Sequence, residues 1–285
     1  MSHKNKKQSF NVTKFSGDVV PFDEKKLYNS LKKGGAKEDE IQKIIRYVME
    51  NMEEGKSTGK IYSEAFSLLK RLPNSTAAAR YKLKRSLMEL GPSGFPFERY
   101  IAELFDHQGY KVRNNLIVKG KCVQHEIDVL AEKEQTSIFI ECKFHNRQGL
   151  KSDVKIAMYF KSRADDIRNG NGHQATFGGK EIKGYLVTNT RFTEDAIIYS
   201  KCENVHLMSW DYPQNESLKD LIELSGLYPI TCLTTLKGRE KSILLEMGIV
   251  MGKDLGANPQ LLDQFKVSDY RRKNILNELN ELCNA

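Results

Sequence analysis

Apolar residues follow a helical period in the first ninety positions of the chain and a strand pattern in the middle. After an alternating stretch over residues 11–20 with a Ser-Gly-Asp turn, apolar positions recur three and four residues apart as far as residue 90. Such spacing predicts a short hairpin and then amphipathic helices. Asp23 is a suitable N-cap for the first helix, and the Gly-Pro-Ser-Gly stretch at residues 91–94 predicts a domain boundary.

Residues 95–210 have a different pattern. A helix with an apolar face ends near Gly109, and three strands follow over residues 111–118, 123–130 and 137–143. The remaining pattern predicts helix, strand, helix and strand, which gives the order α-β-β-β-α-β-α-β. We therefore predict an α/β domain in which helices flank a mixed sheet.

The last segment of the chain is predicted to be helical, with turns at its glycines. Two stretches, residues 233–249 and 258–267, faintly resemble helix-turn-helix pairs that contact DNA backbones, but a dimerisation or docking role is equally compatible with them. The predicted division is thus a small α+β domain over residues 1–92, the α/β domain over residues 93–212 and a helical accessory domain over residues 213–285.

Charge and composition narrow the function classes only slightly. The net charge is +8, and residues 1–94 carry 19 Lys and Arg against 11 Asp and Glu, so the excess is N-terminal. A basic balance favours polyanionic partners, although a solvated mixed surface gives the same count. The chain lacks an apolar run of membrane-spanning length and an apolar stretch behind its basic N-terminus, so we expect no membrane partner and a cytoplasmic location. Five cysteines without C-x-x-C spacing favour neither a disulfide framework nor a zinc site.

The strongest chemical signal lies on the second and third strands of the α/β domain. Asp128 is followed thirteen positions later by Glu141, and Lys143 comes two residues after that at the end of an apolar run. Alternation along a strand places Glu141 and Lys143 on one face, and an antiparallel turn near residues 132–135 would bring Asp128 beside them. Two carboxylates about 5 Å apart repel by roughly 3 kcal/mol at an effective dielectric of about 20.

A divalent cation would remove this repulsion. Mg²⁺ prefers hard oxygen ligands, activates water and offsets charge on a phosphodiester, while an adjacent lysine stabilises the developing negative charge. The pattern therefore predicts a metal-dependent nuclease site that binds Mg²⁺ or Mn²⁺ through Asp128 and Glu141. An ordinary surface salt bridge of Lys143 with either carboxylate is the alternative.

Together with the element order, these residues resemble the PD-(D/E)XK nuclease superfamily and most closely its Mrr-type restriction endonuclease branch. The resemblance runs from Phe97-Glu98 through Glu126-Ile127-Asp128 and Glu141-Cys142-Lys143 to Thr188-Asn189-Thr190. It implies DNA cleavage with Mg²⁺, Asp128 and Glu141 as metal ligands and Lys143 as the catalytic lysine. Glu98 is a further candidate acidic ligand, or an exposed helix residue. Weaker candidates, each with a structural alternative, are Glu126, His125, His145, Lys155 and Tyr159.

The first ninety residues contain one misleading motif and one informative one. Gly55-Lys56-Ser57-Thr58 resembles the end of a phosphate-binding loop, but Glu50 stands where that loop needs glycine and a helix precedes it instead of a strand, so we reject this interpretation. The segment is more similar to the ATP-cone, a regulatory nucleotide-binding module. The matching residues are Val12, Lys14, Gly17, Pro21-Phe22-Asp23, Lys26-Leu27 and Ala78 to Leu83.

The ATP-cone resemblance implies that Lys14 and Lys26 contact the phosphates of ATP or dATP, with Thr58 and Arg80 as weaker candidates. Two lysines near a helix N-terminus, whose N–H groups have no helical partners, also suit a triphosphate on chemical grounds. Phe15 and Ser16 depart from the usual Arg and Asp of that family. A helical module whose lysines are merely solvated is the alternative.

These observations predict a metal-dependent endodeoxyribonuclease that forms a homo-oligomer, responds to ATP or dATP and serves restriction or antiviral defence. One alternative is a nucleotide-responsive DNA-binding or transcriptional regulator with an inactive nuclease fold, and another is a structural or interaction protein. The intact set of Asp128, Glu141 and Lys143 favours the enzyme.

Overall fold

The structure, a computed structural model, describes residues 10–72, 75–170, 176–178 and 180–283. The basic N-terminal residues 1–9 lie outside these ranges. The chain forms two compact units, Met1–Leu83 and Lys84–Ala285. The predicted division into three domains, with boundaries at residues 92 and 212, differs from this division into two units and stays a prediction. None of the helices in the described ranges is long and apolar enough to cross a membrane.

The first unit combines a small sheet with a helical bundle. Its elements are β1 (Asn11–Thr13), β2 (Val19–Pro21), α1 (Glu24–Lys33), α2 (Glu38–Glu50), β3 (Lys56–Ser57), α3 (Thr58–Leu69) and α4 (Ser75–Tyr81). The strand order is β2-β1-β3, with β2 antiparallel and β3 parallel to β1. The predicted hairpin and helices are therefore present in this unit.

Local sequence explains where these helices begin. Asp23 accepts hydrogen bonds from the N–H groups of Lys25 and Lys26 at 3.0 and 3.3 Å, which caps α1. Glu40 accepts from the Lys37 N–H at 2.8 Å at the start of α2. The apolar faces then meet in one core that is built from the residues of helical spacing. Its fully buried members include Leu31, Ile41, Ile44, Val48, Ala65 and Leu69.

The second unit is built around a five-stranded mixed sheet. Its strands are β4 (Lys111–Lys119), β5 (Gln124–Lys133), β6 (Thr136–Lys143), β8 (Glu181–Thr188) and β10 (His206–Met208), in the order β10-β8-β6-β5-β4. β4, β5 and β6 pair antiparallel, whereas β6, β8 and β10 run parallel. A separate two-stranded sheet pairs β7 (Lys151–Ser152) with β9 (Arg191–Phe192).

Helices flank this sheet in the predicted order. The short helix α5 (Leu83–Met88) precedes this order along the chain. The helices that contact the sheet are α6 (Phe95–His107), α7 (Val154–Arg168) and α8 (Glu194–Cys202). Phe160 of α7 packs on Phe139 of β6, with ring centroids 4.9 Å apart, so α7 covers the middle of the sheet. The mixed sheet flanked by helices confirms the predicted α/β fold.

The last segment of the second unit is helical. It contains α9 (Leu218–Ser225), α10 (Gly238–Glu246), α11 (Gly252–Ala257) and α12 (Asp269–Cys283), with short 3₁₀ helices at Ile230–Cys232 and Pro259–Phe265. Two buried hydrogen bonds join it to the helices before the sheet. Tyr100 Oη donates to the Leu227 carbonyl at 2.7 Å, and Thr231 Oγ1 donates to the Ser86 carbonyl at 2.7 Å.

Candidate active site

The pairing of β5 and β6 places Asp128 and Glu141 side by side. Val129 pairs with Ile140, so the same register continued by one residue sets Asp128 opposite Glu141 at the point where the ladder ends. The Cys142 N–H donates to Asp128 Oδ2 at 2.7 Å, which ties this carboxylate to the neighbouring strand. The structure therefore brings the two predicted ligands together, as alternation along the two strands requires.

Glu98 approaches the same place from α6. A Cβ added to Gly94, which begins this helix, would lie 2.7 Å from Glu98 Oε1, so the glycine leaves room for the carboxyl group. Asn115 of β4 stands opposite Asp128 and has a φ of 52°, a backbone conformation that asparagine tolerates better than most residues. Its amide donates to Glu126 Oε1 at 3.2 Å. Acidic groups from three elements thus gather at one end of the sheet.

Burial and mutual repulsion change the acidity of this cluster. Burial is the main cause that raises the pKa of Glu141 to about 7, and the Asp128 charge is the second. Burial, followed by the Asp128 charge, also raises the pKa of Glu98 to about 7. Burial raises the pKa of Asp128 as well, although the Cys142 N–H opposes it. Carboxylates that disfavour one another's ionisation in this way are typical of functional sites.

Arg163 is the residue of this site that the sequence analysis missed. It lies on α7, three residues after Phe160, and its Nη1 donates to Glu141 Oε2 at 2.5 Å. Its Nη2 donates to the Glu126 carbonyl, and its guanidinium stacks over two rings, 5.8 Å from the Phe139 centroid and 5.6 Å from that of Tyr159. The one sequence feature that could have pointed to Arg163 is its position beside the apolar stripe of α7.

Lys143 lies beside this cluster at the end of β6. Its positive charge is one of the causes that oppose the rise in the pKa of Glu141, and its side chain is exposed. Thr188 Oγ1 donates to the Lys143 carbonyl at 2.7 Å, and Asn189 bonds both the N–H and the carbonyl of His145, at 2.9 and 2.8 Å. The end of β8 therefore fixes the backbone that carries the lysine.

The site offers oxygen donors that a divalent cation could use. Within the described ranges, no group of three or more His, Cys, Asp or Glu side chains is arranged to hold a metal ion. Asp128 and Glu141 nevertheless offer hard oxygen donors whose repulsion a cation would relieve. The residues fit an ion that takes two carboxylates and completes its coordination with water, as Mg²⁺ does.

The weaker candidates have structural partners. His125 Nε2 lies 2.8 Å from Asp166 Oδ2, and Asp166 also accepts from the N–H groups of Cys122 and Val123. His145 Nε2 lies 2.9 Å from Ser152 Oγ. Both imidazoles therefore hold loops in place. Tyr159, in contrast, contributes to the site through its ring contact with Arg163.

The candidate nucleotide residues lie in the first unit. Lys14 is in the turn of the β1–β2 hairpin, where its N–H donates to the Asp18 carbonyl at 2.9 Å. The Phe15 ring lies against Gly59, beside Thr58 at the start of α3, so the hairpin turn and this helix N-terminus meet. Lys26 is in the first turn of α1, 3.7 Å from Asp23.

Arg80 lies elsewhere in this unit. Its Nη1 is near Gly35, just beyond the C-terminal end of α1, about nine residues and therefore roughly 13 Å along the helix from Lys26. The structure thus does not bring Arg80 to the same end of α1 as Lys26. In the rejected phosphate-binding loop, the Lys56 ammonium is buried and donates to Glu64 at 2.7 Å and to the Asn51 carbonyl at 2.8 Å.

Comparisons with known proteins agree with this fold. A family model described as restriction endonuclease matches residues 91–212, and one described as AF1548-like, C-terminal, matches residues 228–283. The first match spans the five-stranded sheet and the carboxylate cluster. The second unit therefore contains a restriction-endonuclease-like domain, which supports a nuclease-type enzyme.

One sequence match and one solved structure show the family to which the chain belongs. An uncharacterized protein of Archaeoglobus fulgidus is 34% identical over 182 residues, which cover 62% of this chain and 97% of the relative. The crystal structure of AF1548, a protein of unknown function, is 30% identical, with a TM-score of 0.54 over 68% of this chain and 100% of that one. The chain belongs to the AF1548-like family.

A more distant solved structure, the MspJI restriction endonuclease in complex with a 27-mer oligonucleotide, shares 11% identity at a TM-score of 0.35. The match covers 74% of this chain and 44% of that one.

Proposed function

We propose that this protein is a Mg²⁺-dependent endodeoxyribonuclease. The observation that carries the proposal is the convergence of Asp128, Glu141 and Glu98, with the Lys143 ammonium beside them, at one end of the central sheet. Within the described part of the chain, Lys143 Nζ has no ion pair or hydrogen bond, which leaves it available to a substrate. A surface salt bridge, the alternative interpretation, would instead pair this lysine with one of the carboxylates.

Each residue has a distinct role in this proposal. Asp128 and Glu141 would hold the divalent ion, which when bound activates water and offsets charge on the phosphodiester. Lys143 orients that water and stabilises the negative charge that develops on phosphorus-bound oxygen. The water oxygen would bond to phosphorus and give up a proton to solvent, the bond from phosphorus to the leaving sugar oxygen would break, and that oxygen would take up a proton from solvent. Glu98 is a further acidic group within the same electrostatic cluster.

Cleavage of supercoiled plasmid DNA with and without Mg²⁺ tests this proposal. Asp128→Asn and Lys143→Ala should each reduce cleavage by roughly 10²- to 10³-fold, because each removes a charge that acts in the transition state. Lys273→Ala, which changes an exposed lysine on α12, is the matched control and should leave the rate unchanged. Wild-type protein that does not cut DNA with Mg²⁺ or Mn²⁺ would instead support the regulator with an inactive nuclease fold.

We further propose that the first unit is an ATP-cone that binds ATP or dATP. The contact of Phe15 with Gly59 supports this proposal, since it sets the Lys14 turn beside the start of α3, where helix N–H groups favour a phosphate. Nucleotide occupancy would then control assembly of a homo-oligomer or release of the nuclease, in restriction or antiviral defence.

Calorimetric titration with dATP and ATP tests the nucleotide proposal. Lys14→Ala should weaken binding by about tenfold, since one phosphate contact is lost, whereas Lys43→Ala on the exposed face of α2 should not. Light scattering with and without nucleotide measures assembly. The nucleotide proposal is overturned if neither ATP nor dATP gives a measurable heat of binding when it is added to the full chain.

A further inference from the structure

The Arg163 guanidinium is held by partners that do not depend on Glu141. Nη2 donates to the Glu126 carbonyl, and the rings of Phe139 and Tyr159 stack on the guanidinium. The side chain is 11% exposed, so this pose is fixed by packing as well as by charge. A positive charge is therefore built into the carboxylate cluster and would stay there if Glu141 turned away.

This charge stands where a divalent cation would have to be accommodated. Glu141 Oε2 accepts from Arg163 Nη1 at 2.5 Å, so one of its two carboxylate oxygens is already engaged. A cation on Glu141 must either displace the guanidinium or bind beside it against its charge. Either route weakens binding, because like charges at such separations repel even in a partly solvated site. Without a cation, the same guanidinium offsets the repulsion between Glu141 and Asp128.

We propose that Arg163 is the built-in counterion of Glu141 and sets the affinity of the site for a divalent cation by competing for that carboxylate. This inference rests on the proposed metal-dependent function. It makes Arg163 a positioning residue that acts through Glu141. The site would then need a higher cation concentration for half-occupancy than it would without the arginine, and the metal-free protein would keep its acidic cluster folded.

Calorimetric titration of the full-length protein with Mn²⁺, without DNA, tests the competition. Arg163→Met keeps an unbranched side chain and its packing on the two rings but removes the charge, and it should bind Mn²⁺ at least about tenfold more tightly than wild type. Arg168→Met removes an arginine on the same helix that pairs with Asp165 and should leave the affinity unchanged. Heat of binding is measured, so the result does not depend on turnover.

A second variant keeps the test decisive if Arg163→Met does not fold. Arg163→Lys retains the charge but loses the planar fork, so it should bind Mn²⁺ more tightly than wild type does, and less tightly than Arg163→Met where that variant folds. Equal or weaker Mn²⁺ binding by the Arg163 variants overturns the competition and leaves the metal-dependent function standing. No Mn²⁺ binding by any variant, wild type included, overturns both.

Discussion

Glu141 and Glu278 are both largely buried carboxylates, yet their surroundings are opposite. Glu278, which is 1% exposed on α12, accepts four hydrogen bonds from Thr234 and Thr235, one from each N–H and one from each hydroxyl, at 2.6 to 2.9 Å. Glu141 faces the carboxyl group of Asp128 and has one guanidinium partner. The carboxylate of Glu278 is therefore surrounded by hydrogen-bond donors, whereas the carboxylate of Glu141 can still bind a further cation.

The difference separates a structural role from a functional one. A carboxylate whose lone pairs are all used organises the fold, because its desolvation is repaid by four donors. A carboxylate that is buried beside another one destabilises the folded protein unless a ligand arrives. Natural proteins tolerate such a cost chiefly where binding or catalysis requires it. Saturation of hydrogen bonding, rather than burial, is what distinguishes the two sites.

Removal of the saturated charge should have the largest effect on stability. Glu278→Gln replaces two accepting oxygens with one and sets an amide donor against a threonine, so the free energy of unfolding should fall by about 2–3 kcal/mol. Urea denaturation measures it. Glu281→Gln on the exposed side of the same helix is the control and should change stability by less than about 0.5 kcal/mol. Equal changes in the free energy of unfolding for Glu278→Gln and Glu281→Gln would contradict the structural role of Glu278.

Removal of the open charge should have a smaller and opposite effect. Glu141→Gln, studied without divalent ions, eliminates the repulsion with Asp128 while its amide oxygen still accepts from Arg163. Because the Arg163 charge also interacts with Asp128, it keeps a counterion in this variant, and the free energy of unfolding should stay the same or rise by up to about 1 kcal/mol. A loss of more than about 1 kcal/mol in the urea measurement would show that Glu141 is as structural as Glu278.

Asp166 gives the smallest effect and adds a pH dependence. The hydrogen bond with His125 is the main cause that lowers the pKa of Asp166 to about 2, from the ordinary value of 3.8, and the Cys122 N–H adds to it. A lowered pKa stabilises the fold above the ordinary value, and this contribution disappears as the pH falls toward the folded value. Urea midpoints of wild type and Asp166→Asn should differ most above about pH 5 and converge toward about pH 2. A difference that is independent of pH would contradict this.

The strand pattern was sufficient to predict where the acidic groups meet. Residues 137–143 form an apolar run that ends in Glu-Cys-Lys, and alternation alone set Glu141 and Lys143 on one face. The antiparallel turn followed from the short polar stretch before residue 136, and β5 and β6 do pair in this way. Local periodicity therefore fixed the register of two neighbouring strands, because only a short turn separates them.

Contacts made across the fold could not be predicted in the same way. Arg163 is 22 residues from Glu141 in sequence and reaches it only because Phe160 docks α7 on Phe139. The partnership of His125 with Asp166 spans 41 residues for the same reason. His125 is a weaker site candidate from sequence alone, whereas in the structure it ties two segments together. Helix docking angles depend on packing that one sequence does not display.

Helix α6 links two regions of the second unit, the acidic cluster and the accessory helices. Glu98 and Tyr100 are two positions apart and therefore lie on opposite sides of the helix, one toward the acidic cluster and one bonded to Leu227. A shift of the accessory helices would be transmitted along this rigid rod to the carboxyl group. A substitution in the C-terminal segment that causes such a shift would thus alter the acidic cluster without contacting any of its carboxylates.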